Sequence, residues 1–522
     1  MTYPKIILDA VFGNAKKIRL PILLASAVFI ISVHLFALGR YPACVGDVVL
    51  LSLESHSIYK AGEFARLSMP GPALYHIHAV FPPLIPFLMA VCYRLFGFGV
   101  WQSQSLAFFS GVLASVILFR ICRRLTDSYS AAVATLVFAL DGVISYTWLA
   151  GRVDSPLYLI YALILWFILD TERPTGGAHG LIVGLLLGLL GFAYYPLLPA
   201  AFLTVGIFVW FLVWNNSRIP SPKRVRFVLQ WLGGSFLALG CLGAYLLTHW
   251  DFVTKQLLSQ SAAYYSTKNL LLAIQGERSR YAYLIVKEFD LGHVVLFSAT
   301  LVILLRTPKK DAWTKSILCG VLVWVAATSV YMQKHPRYLA NGIFLVSLGV
   351  AIAHHRAAQN AASRSARFYR ILIVAALILG FLRLGMVGAT TAYQWSGRDY
   401  SAFSRILRQQ IPAGTRVIAP LSAWHALAEH ASFVHIYTQG GSERFNEPAS
   451  ENWLNNSDYL NSMDYIVIQE SFVTKEYFPV LLRYVRDHLQ LIGRVDPPFK
   501  SLPWAKTPPY RMDIYARPRQ GG

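Results

Sequence analysis

Two carboxylates, Asp47 and Asp154, and one cationic run, Lys334-His335-Pro336-Arg337-Tyr338, are the residues of this chain whose types and settings could do chemistry. Asp47 follows Gly46, which lets the backbone turn as it leaves an apolar run. A carboxylate there could take a proton from an acceptor hydroxyl or amine, or hold a divalent cation; the plain alternative is a solvated loop aspartate. Gly151-Arg152-Val153-Asp154 closes another apolar run, and its aspartate is either a working carboxylate or a helix cap paired with its own arginine. The cations of Lys334, His335 and Arg337, packed at the mouth of an apolar run beside Tyr338, suit a bound anion, with phosphate the natural one; lipid-headgroup anchoring is the alternative. His76 and His78 are two apart on a Pro-rich loop with no third ligand, so no metal site is assigned to them. Tyr194 and Tyr195, with Glu54 and Glu63, complete this polar set.

The elements that must position these residues are membrane helices. The chain has 522 residues, is 55% hydrophobic and only 14% charged, with a mean hydropathy of +0.47. A soluble domain of that composition would expose too much apolar surface. Several runs of about 17 to 24 residues carry few or no charges, enough to cross a bilayer core as helices. The formal charge of +21 excites a nucleic-acid reading, but the basic residues sit in short loops between apolar runs. That distribution is the signature of cytoplasmic loops, and nucleic acid is excluded as a partner. Cys44, Cys92, Cys122, Cys241 and Cys319 lie in or beside different runs and imply neither a disulfide framework nor a zinc site.

Charge sidedness orders the spans. Lys5, Lys16, Lys17 and Arg19 precede an uncleaved first span, residues 21–38, which sets the N-terminus inside. Asp47 then lies on the outer side, in a first outer loop of about residues 39–100. Residues 82–98, broken by Pro82, Pro83 and Pro86, read as an interfacial helix. That choice lets residues 102–119 deliver Arg120, Arg123 and Arg124 to the cytoplasm. Spans follow at residues 131–148, 156–169, 181–195, 197–214, 227–248, 294–305, 317–332, 338–353 and 371–387, about eleven in all. The fold class is therefore a mostly α, polytopic transmembrane helical bundle, N-terminus in and C-terminus out. The expected domains are residues 1–389 and a small extracytoplasmic α/β domain, residues 390–522. In the latter, helices are expected at residues 399–410, 422–430 with a serine cap, and 477–489; strands are expected at 416–419, 433–437, 465–469 and 514–516. His425, Glu429, His430 and His435 read there as solvated surface. All the polar residues of the opening set fall on the outer side, although none was used to assign the topology. Ionisable groups at membrane depth are costly and tend to be functional.

With that order in place, the first-loop aspartate, Phe81-Pro82-Pro83-Leu84-Ile85-Pro86 leading into Tyr93-Arg94-Leu95-Phe96-Gly97, Arg152-x-Asp154 and Lys334-His335-x-Arg337-Tyr338 together resemble the GT-C membrane glycosyltransferases. The resemblance is to the bacterial family 39 type, which includes protein O-mannosyltransferases and the lipid A aminoarabinose transferase, and it covers about residues 20 to 390. It implies transfer of a sugar from a polyprenyl-phosphate carrier to a glycan, lipid or protein acceptor on the outer face. It further implies that Asp47 acts as base or acceptor contact, that Asp154 is the second carboxylate near the donor with Arg152 beside it, and that Lys334, Arg337 and Tyr338 hold the carrier phosphate. Two departures stand out. Val48 occupies a place where many relatives carry an acid, and Phe81 the place where the aminoarabinose transferase carries a lysine. The second disfavours aminoarabinose as the sugar and leaves the phosphate to Lys334 and Arg337.

The expected reaction is a single inverting displacement with the carrier phosphate as leaving group, needing no protein nucleophile and no cofactor beyond an optional divalent cation. A transporter or lipid flippase is the alternative from another class; it predicts internal repeats, helices broken in matching positions and ionisable residues near the midplane. No repeat is evident, although Asp141 and Arg383 fall deeper than the rest.

Overall fold

The computed structural model describes residues 16–42, 47–62, 83–170, 177–194, 198–217, 219–248, 250, 254, 270–287, 290–307, 310–329, 336–360, 362–437, 457–469, 478–498, 502, 504 and 510–518. Lys16–Ala37 (α1) is followed by Asp47–Ala61 (α2) and Leu84–Phe96 (α3), and then by Val100–Leu125 (α4), Ser128–Leu140 (α5), Gly142–Leu149 (α6) and Asp154–Asp170 (α7). The bundle continues with His179–Tyr194 (α8), Leu198–Val209 (α9) running into a π turn at Trp210–Trp214, Ser221–Leu247 (α10), Leu270–Lys287 (α11), Leu291–Arg306 (α12) and Ala312–Ser329 (α13). A 3-10 turn, Pro336–Leu339, then leads into Ala340–Gln359 (α14), and Arg364–Tyr393 (α15) follows.

Among the described residues, α4, α10, α13, α15 and the helix spanning Arg337–Gln359 are long and apolar enough to cross a membrane. The bent pair α5 and α6 makes a sixth if counted as one span, and shorter apolar helices surround them. α14 is buried nearly all round and forms the axis of the bundle, whereas α15 exposes Phe368, Ile371, Ile378 and Leu382. Large apolar side chains on the outside of α1, α4, α10 and α13 continue that surface. A coat of this kind is stable only in hydrocarbon, so the chain is an integral membrane protein. α8 and α10 approach closely because Gly180, Gly184 and Gly188 recur every fourth residue, leaving room for the α10 backbone and Ala238 where side chains would collide.

The span expected over residues 131–148 is built from two helices and not one. α5 and α6 meet at Asp141 with a bend of 63°. Asp141 leaves helical geometry and its carboxylate accepts from Val143 N at 2.9 Å and Ile144 N at 3.1 Å, ending one helix and capping the next.

The C-terminal part is a five-stranded mixed sheet in the order β2-β1-β3-β5-β4, built from Arg416–Pro420 (β1), Phe433–Tyr437 (β2), Tyr465–Gln469 (β3), Gln490–Val495 (β4) and Met512–Ala516 (β5). β1 lies parallel to β2 and β3, and β5 runs antiparallel to β3 and β4. Alternation along β1 sends Val417 and Ala419 to one face with Phe403 and Leu407 of the helix Tyr400–Gln410 (α16); Ile418 goes to the other face with Leu481 and Val485 of the helix Phe478–His488. The first of these cores also takes in Val48, Val49, Leu50 and Leu53 of α2 and Val100 of α4. The sheet is thereby welded to the membrane bundle through α2.

Three expectations here are corrected. Residues 422–430 form only a 3-10 turn, Leu421–Ala423, and a single helical turn, Trp424–Leu427 (α17). Ser422 caps nothing and instead donates to Gln469 Oε1 at 2.9 Å. The strand β4, unread in the sequence, closes one sheet edge. Finally, His425 and His435 are buried rather than solvated.

Candidate active site at the end of the bundle

α2 begins at Asp47, so this aspartate opens a helix instead of sitting in a loop; the anionic residue is at the end where free backbone N–H groups favour negative charge. One residue on, Val48 is buried against Gly151. Gly151 has φ +63° and so can turn the chain between α6 and α7 in the left-handed region, and a Cβ on it would stand 2.6 Å from Val48 Cγ2 and 3.1 Å from Ser103 O. The two carboxylate-bearing segments of the sequence are thus brought side by side, with the first turn of α4 beneath them.

The Gly151 turn places Arg152 and Asp154 at the start of α7, both buried, with Arg152 Nε donating to Asp154 Oδ2 at 2.8 Å. A charge-assisted bond in a dry setting fixes the carboxylate's direction and neutralises part of its charge. Behind it, Tyr158 OH donates to Ser155 Oγ at 2.7 Å and approaches Thr147 Oγ1 at 3.3 Å, tying α7 to α6.

The cationic run is described from Pro336 on. Its 3-10 turn packs on α6, α11, α13 and α14. Arg337 Nη2 donates to Tyr338 OH at 3.3 Å, with its guanidinium 5.1 Å from the Tyr338 ring centroid. Tyr194 is half-buried at the end of α8, and it lines a small cleft with Leu157, one turn along from Asp154, and Asn341, one turn along from Arg337. Asp154, Tyr194 and the pair Arg337 and Tyr338 therefore converge on one end of the bundle. His76, His78, Tyr195, Lys334 and His335 lie outside the described residues, as does the side chain of Asp47.

One group was missed by sequence reasoning. Arg280 on α11 is buried and donates to Thr328 O at 2.8 Å and to Thr328 Oγ1 at 3.2 Å, and it pairs with Glu277 at 3.1 Å. It also interacts electrostatically with Tyr338. Its signal was the charge-rich stretch Glu277-Arg278-Ser279-Arg280 between apolar runs. Glu54, which the sequence placed in the polar set, is a buried carboxylate two turns along α2 from Asp47.

Beneath the site a second polar group holds the α5–α6 bend. Asp290 accepts from Gly142 N at 2.8 Å, pairs with His293 Nδ1 at 2.7 Å and lies 3.9 Å from Arg383 Nη1. Arg383 in turn donates to Leu140 O. Asp141, Asp290 and His293 are the described residues that bring three ligand atoms within 4.8 Å of one another. The Arg383 guanidinium already supplies countercharge there, so the group reads as a brace for α6 and the turn after it.

Residues 80–247 match the family model described as dolichyl-phosphate-mannose-protein mannosyltransferase. No curated protein matches the sequence significantly. Among solved structures the chain is similar to ArnT from Cupriavidus metallidurans in the apo state, with a TM-score of 0.62 at 12% identity over 95% of this chain and 97% of that one. It is also similar to the same protein bound to undecaprenyl phosphate, with a TM-score of 0.58 at 14% identity over 96% and 98%. A third similarity is to the oligosaccharyltransferase AglB from Archaeoglobus fulgidus in complex with an inhibitory peptide and a dolichol-phosphate, with a TM-score of 0.53 at 12% identity over 93% and 74%. The resemblance seen in four short motifs thus extends over nearly the whole length, and the chain has the fold of the GT-C membrane glycosyltransferases.

Proposed function

We propose that this protein transfers a sugar from a polyprenyl-phosphate donor to a glycan, lipid or protein acceptor on the extracytoplasmic face. The observation that carries the reading is the packing of the turn at Gly151 against Val48, which sets the Arg152–Asp154 pair beside the start of the helix that Asp47 opens. Support comes from the mannosyltransferase family match and from likeness to structures holding undecaprenyl phosphate or dolichol-phosphate. In this reading the bundle has about eleven spans, N-terminus in, with residues 390–522 extracytoplasmic.

Asp47 takes the acceptor proton as the acceptor oxygen or nitrogen attacks the anomeric carbon. The carrier phosphate leaves from the opposite side with the bonding pair, inverting the centre, and no covalent enzyme intermediate forms. Arg337 and Tyr338, with Lys334 and His335, hold that phosphate as its charge develops, and Arg280 adds a cation behind Tyr338. Asp154, oriented by Arg152, contacts the donor sugar; Tyr194 and Tyr195, with His76 and His78, line the approach. A divalent cation is compatible with this mechanism, which does not require one.

A second reading, lipid or solute transport without glycosyl transfer, is favoured by the bend at Asp141 with Asp290, His293 and Arg383 packed inside it. One experiment separates the two. Purified protein in nanodiscs is incubated with a panel of polyprenyl-phosphate sugars, and release of carrier phosphate is measured. Glycosyl transfer predicts release with at least one donor and an acceptor-containing membrane extract; release with none supports transport.

A further inference from the structure

A cleft of about 720 Å³ opens where α1 and α4 meet the sheet-bearing part of the chain. It is bounded by residues 38–40 at the end of α1, residues 98–102 at the start of α4, and one side of α16. We propose that it binds the phosphorylated headgroup of an anionic membrane lipid, at a place separate from the donor site.

The first argument is charge. Arg40, Arg405 and Arg408 line the cleft against a single carboxylate, Asp399. That carboxylate is committed as the cap of α16, accepting from Ser401 N at 2.9 Å. Arg408 is steered by the Ala426 carbonyl, which accepts from its Nε at 2.6 Å, and a carbonyl does not neutralise a guanidinium. Arg405 makes no ion pair among the described residues. Arg40 lies flat on the Trp395 ring at 3.5 Å, and its Nε is buried without a hydrogen-bond partner among the described residues. Three cations around one concave surface, Arg40 and Arg408 held by their contacts and Arg405 exposed beside them, suit an oxyanion with several acceptor oxygens.

The second argument is depth. The cleft begins where two apolar helices end, and the exposed aromatics Phe36, Trp101 and Trp395 cluster around it, with Phe36 stacked on Trp395 at 5.0 Å. Aromatic rings of this kind mark the headgroup layer, where an anion in the cleft would carry its acyl chains along the apolar outer faces of α1 and α4. A free anion would gain nothing from that apolar approach. The third argument is separation. Ser103 and Gln104 pack against Gly151, whereas the preceding Trp101 and Gln102 face the cleft, so the first turn of α4 stands between this site and Asp154.

The test uses the full chain in a neutral detergent, titrated with a fluorescent short-chain phosphatidic acid. Saturable binding is expected, weakened on the order of tenfold or more in the Arg40→Gln/Arg405→Gln double variant. Arg337→Gln should bind as the parent does, because it belongs to the donor site. Asp399→Asn keeps the cap, since asparagine caps as well as aspartate, and removes the opposing charge, so binding should tighten; this guards against a double variant that merely misfolds. Phosphatidylcholine of the same chain length should not compete, and neither should inorganic phosphate at millimolar concentration. Equal binding by the double variant, competition by phosphatidylcholine, or displacement by inorganic phosphate would each overturn the proposal, the last by showing a free-anion site.

Discussion

Gly151 and Val48 touch so closely that a Cβ on the glycine would stand 2.6 Å from Val48 Cγ2. This contact is what holds the Asp154 turn against the start of α2. Gly151→Ala meets two obstacles, a neighbour without room and a φ of +63°. Together they should cost about 1 to 3 kcal/mol, read as a lower thermal unfolding midpoint, with a larger relative loss of sugar transfer. Val48→Ala in the same chain should restore the steric share and leave the backbone share. Full recovery in the double variant would mean that the backbone angle is not strained.

Asp47 and Asp154 should fail in different ways. Asp47→Asn keeps a polar residue at the helix start and removes only the basic oxygen, so expression and unfolding should be unchanged while carrier-phosphate release drops by about 100-fold or more. Asp154→Asn weakens the buried bond to Arg152 as well, so it should lower transfer and also cost about 1 to 3 kcal/mol of stability. Near-normal turnover in Asp47→Asn would remove the assignment of that residue as base.

Acid should loosen the seam between the sheet and α2. His425 Nε2 lies 2.9 Å from Ser52 Oγ and 2.8 Å from Ser103 Oγ, and Tyr93 OH is 2.7 Å from both hydroxyls. Burial lowers its pKa from 6.5 to about 3, with nearby His56 adding to the shift. Burial does the same to His435, also lowered to about 3. Between those values the folded form binds fewer protons than the unfolded form, so stability rises with pH and is lost as pH falls below about 6.5. At about pH 5 each histidine removes about 2 kcal/mol. Thermal unfolding of parent and His425→Gln at neutral and acid pH checks this. The variant should show a visibly shallower pH dependence, and an equal one would rule His425 out.

Part of the arrangement was legible because lysines and arginines gather at the ends of apolar runs. Arg123 and Arg124 lie in the last turn of α4, and the Gly151 turn that precedes Asp154 packs near its start, at Ser103 and Gln104. The helical boundaries followed apolar runs and came out within a few residues for α7, α8, α12 and α16. The bend at Asp141 was missed because the run around it is apolar on both sides, and one capping carboxylate is a weak signal against that background. The burial of His425 and His435 was not legible at all. It depends on Ser52, Ser103 and Tyr459, which no local pattern connects to them. The face of α2 carrying Ser52, His56 and Lys60 at four-residue spacing was the one available hint that this helix meets a polar partner.

That face also carries a salt bridge whose contribution should be small. Lys60 Nζ lies 2.6 Å from Glu429 Oε1, and His56 Nε2 lies 3.7 Å from the same oxygen. The Lys60 and Glu429 side chains are 50% and 35% exposed, so water screens the pair. A double-mutant cycle on Lys60→Ala and Glu429→Ala should give a coupling below about 1 kcal/mol. A coupling of several kcal/mol would mean that the seam rests on charge and not on the apolar core shared by Val48, Leu53 and Phe403.

The brace at Asp290 should show that α6 is positioned from below. Asp290 accepts from Gly142 N, the first residue of α6, and pairs with His293 and Arg383. Asp290→Asn can still accept from Gly142 N, so it loses charge pairing but keeps the bend. Asp290→Ala loses both and leaves the partly buried Arg383 guanidinium and the buried His293 without this carboxylate, a change that costs up to about 3 to 5 kcal/mol when both partners are fully buried and less here. The expected order of unfolding midpoints is parent, then Asp290→Asn, then Asp290→Ala. If the bend sets the Gly151 turn, sugar transfer should follow the same order even though Asp290 is not among the residues assigned to the donor or acceptor. Transfer that stays at the parent level in both variants, with stability lowered, would show that the brace serves folding alone and that the Arg152–Asp154 pair is held by its own contacts with α2 and α4.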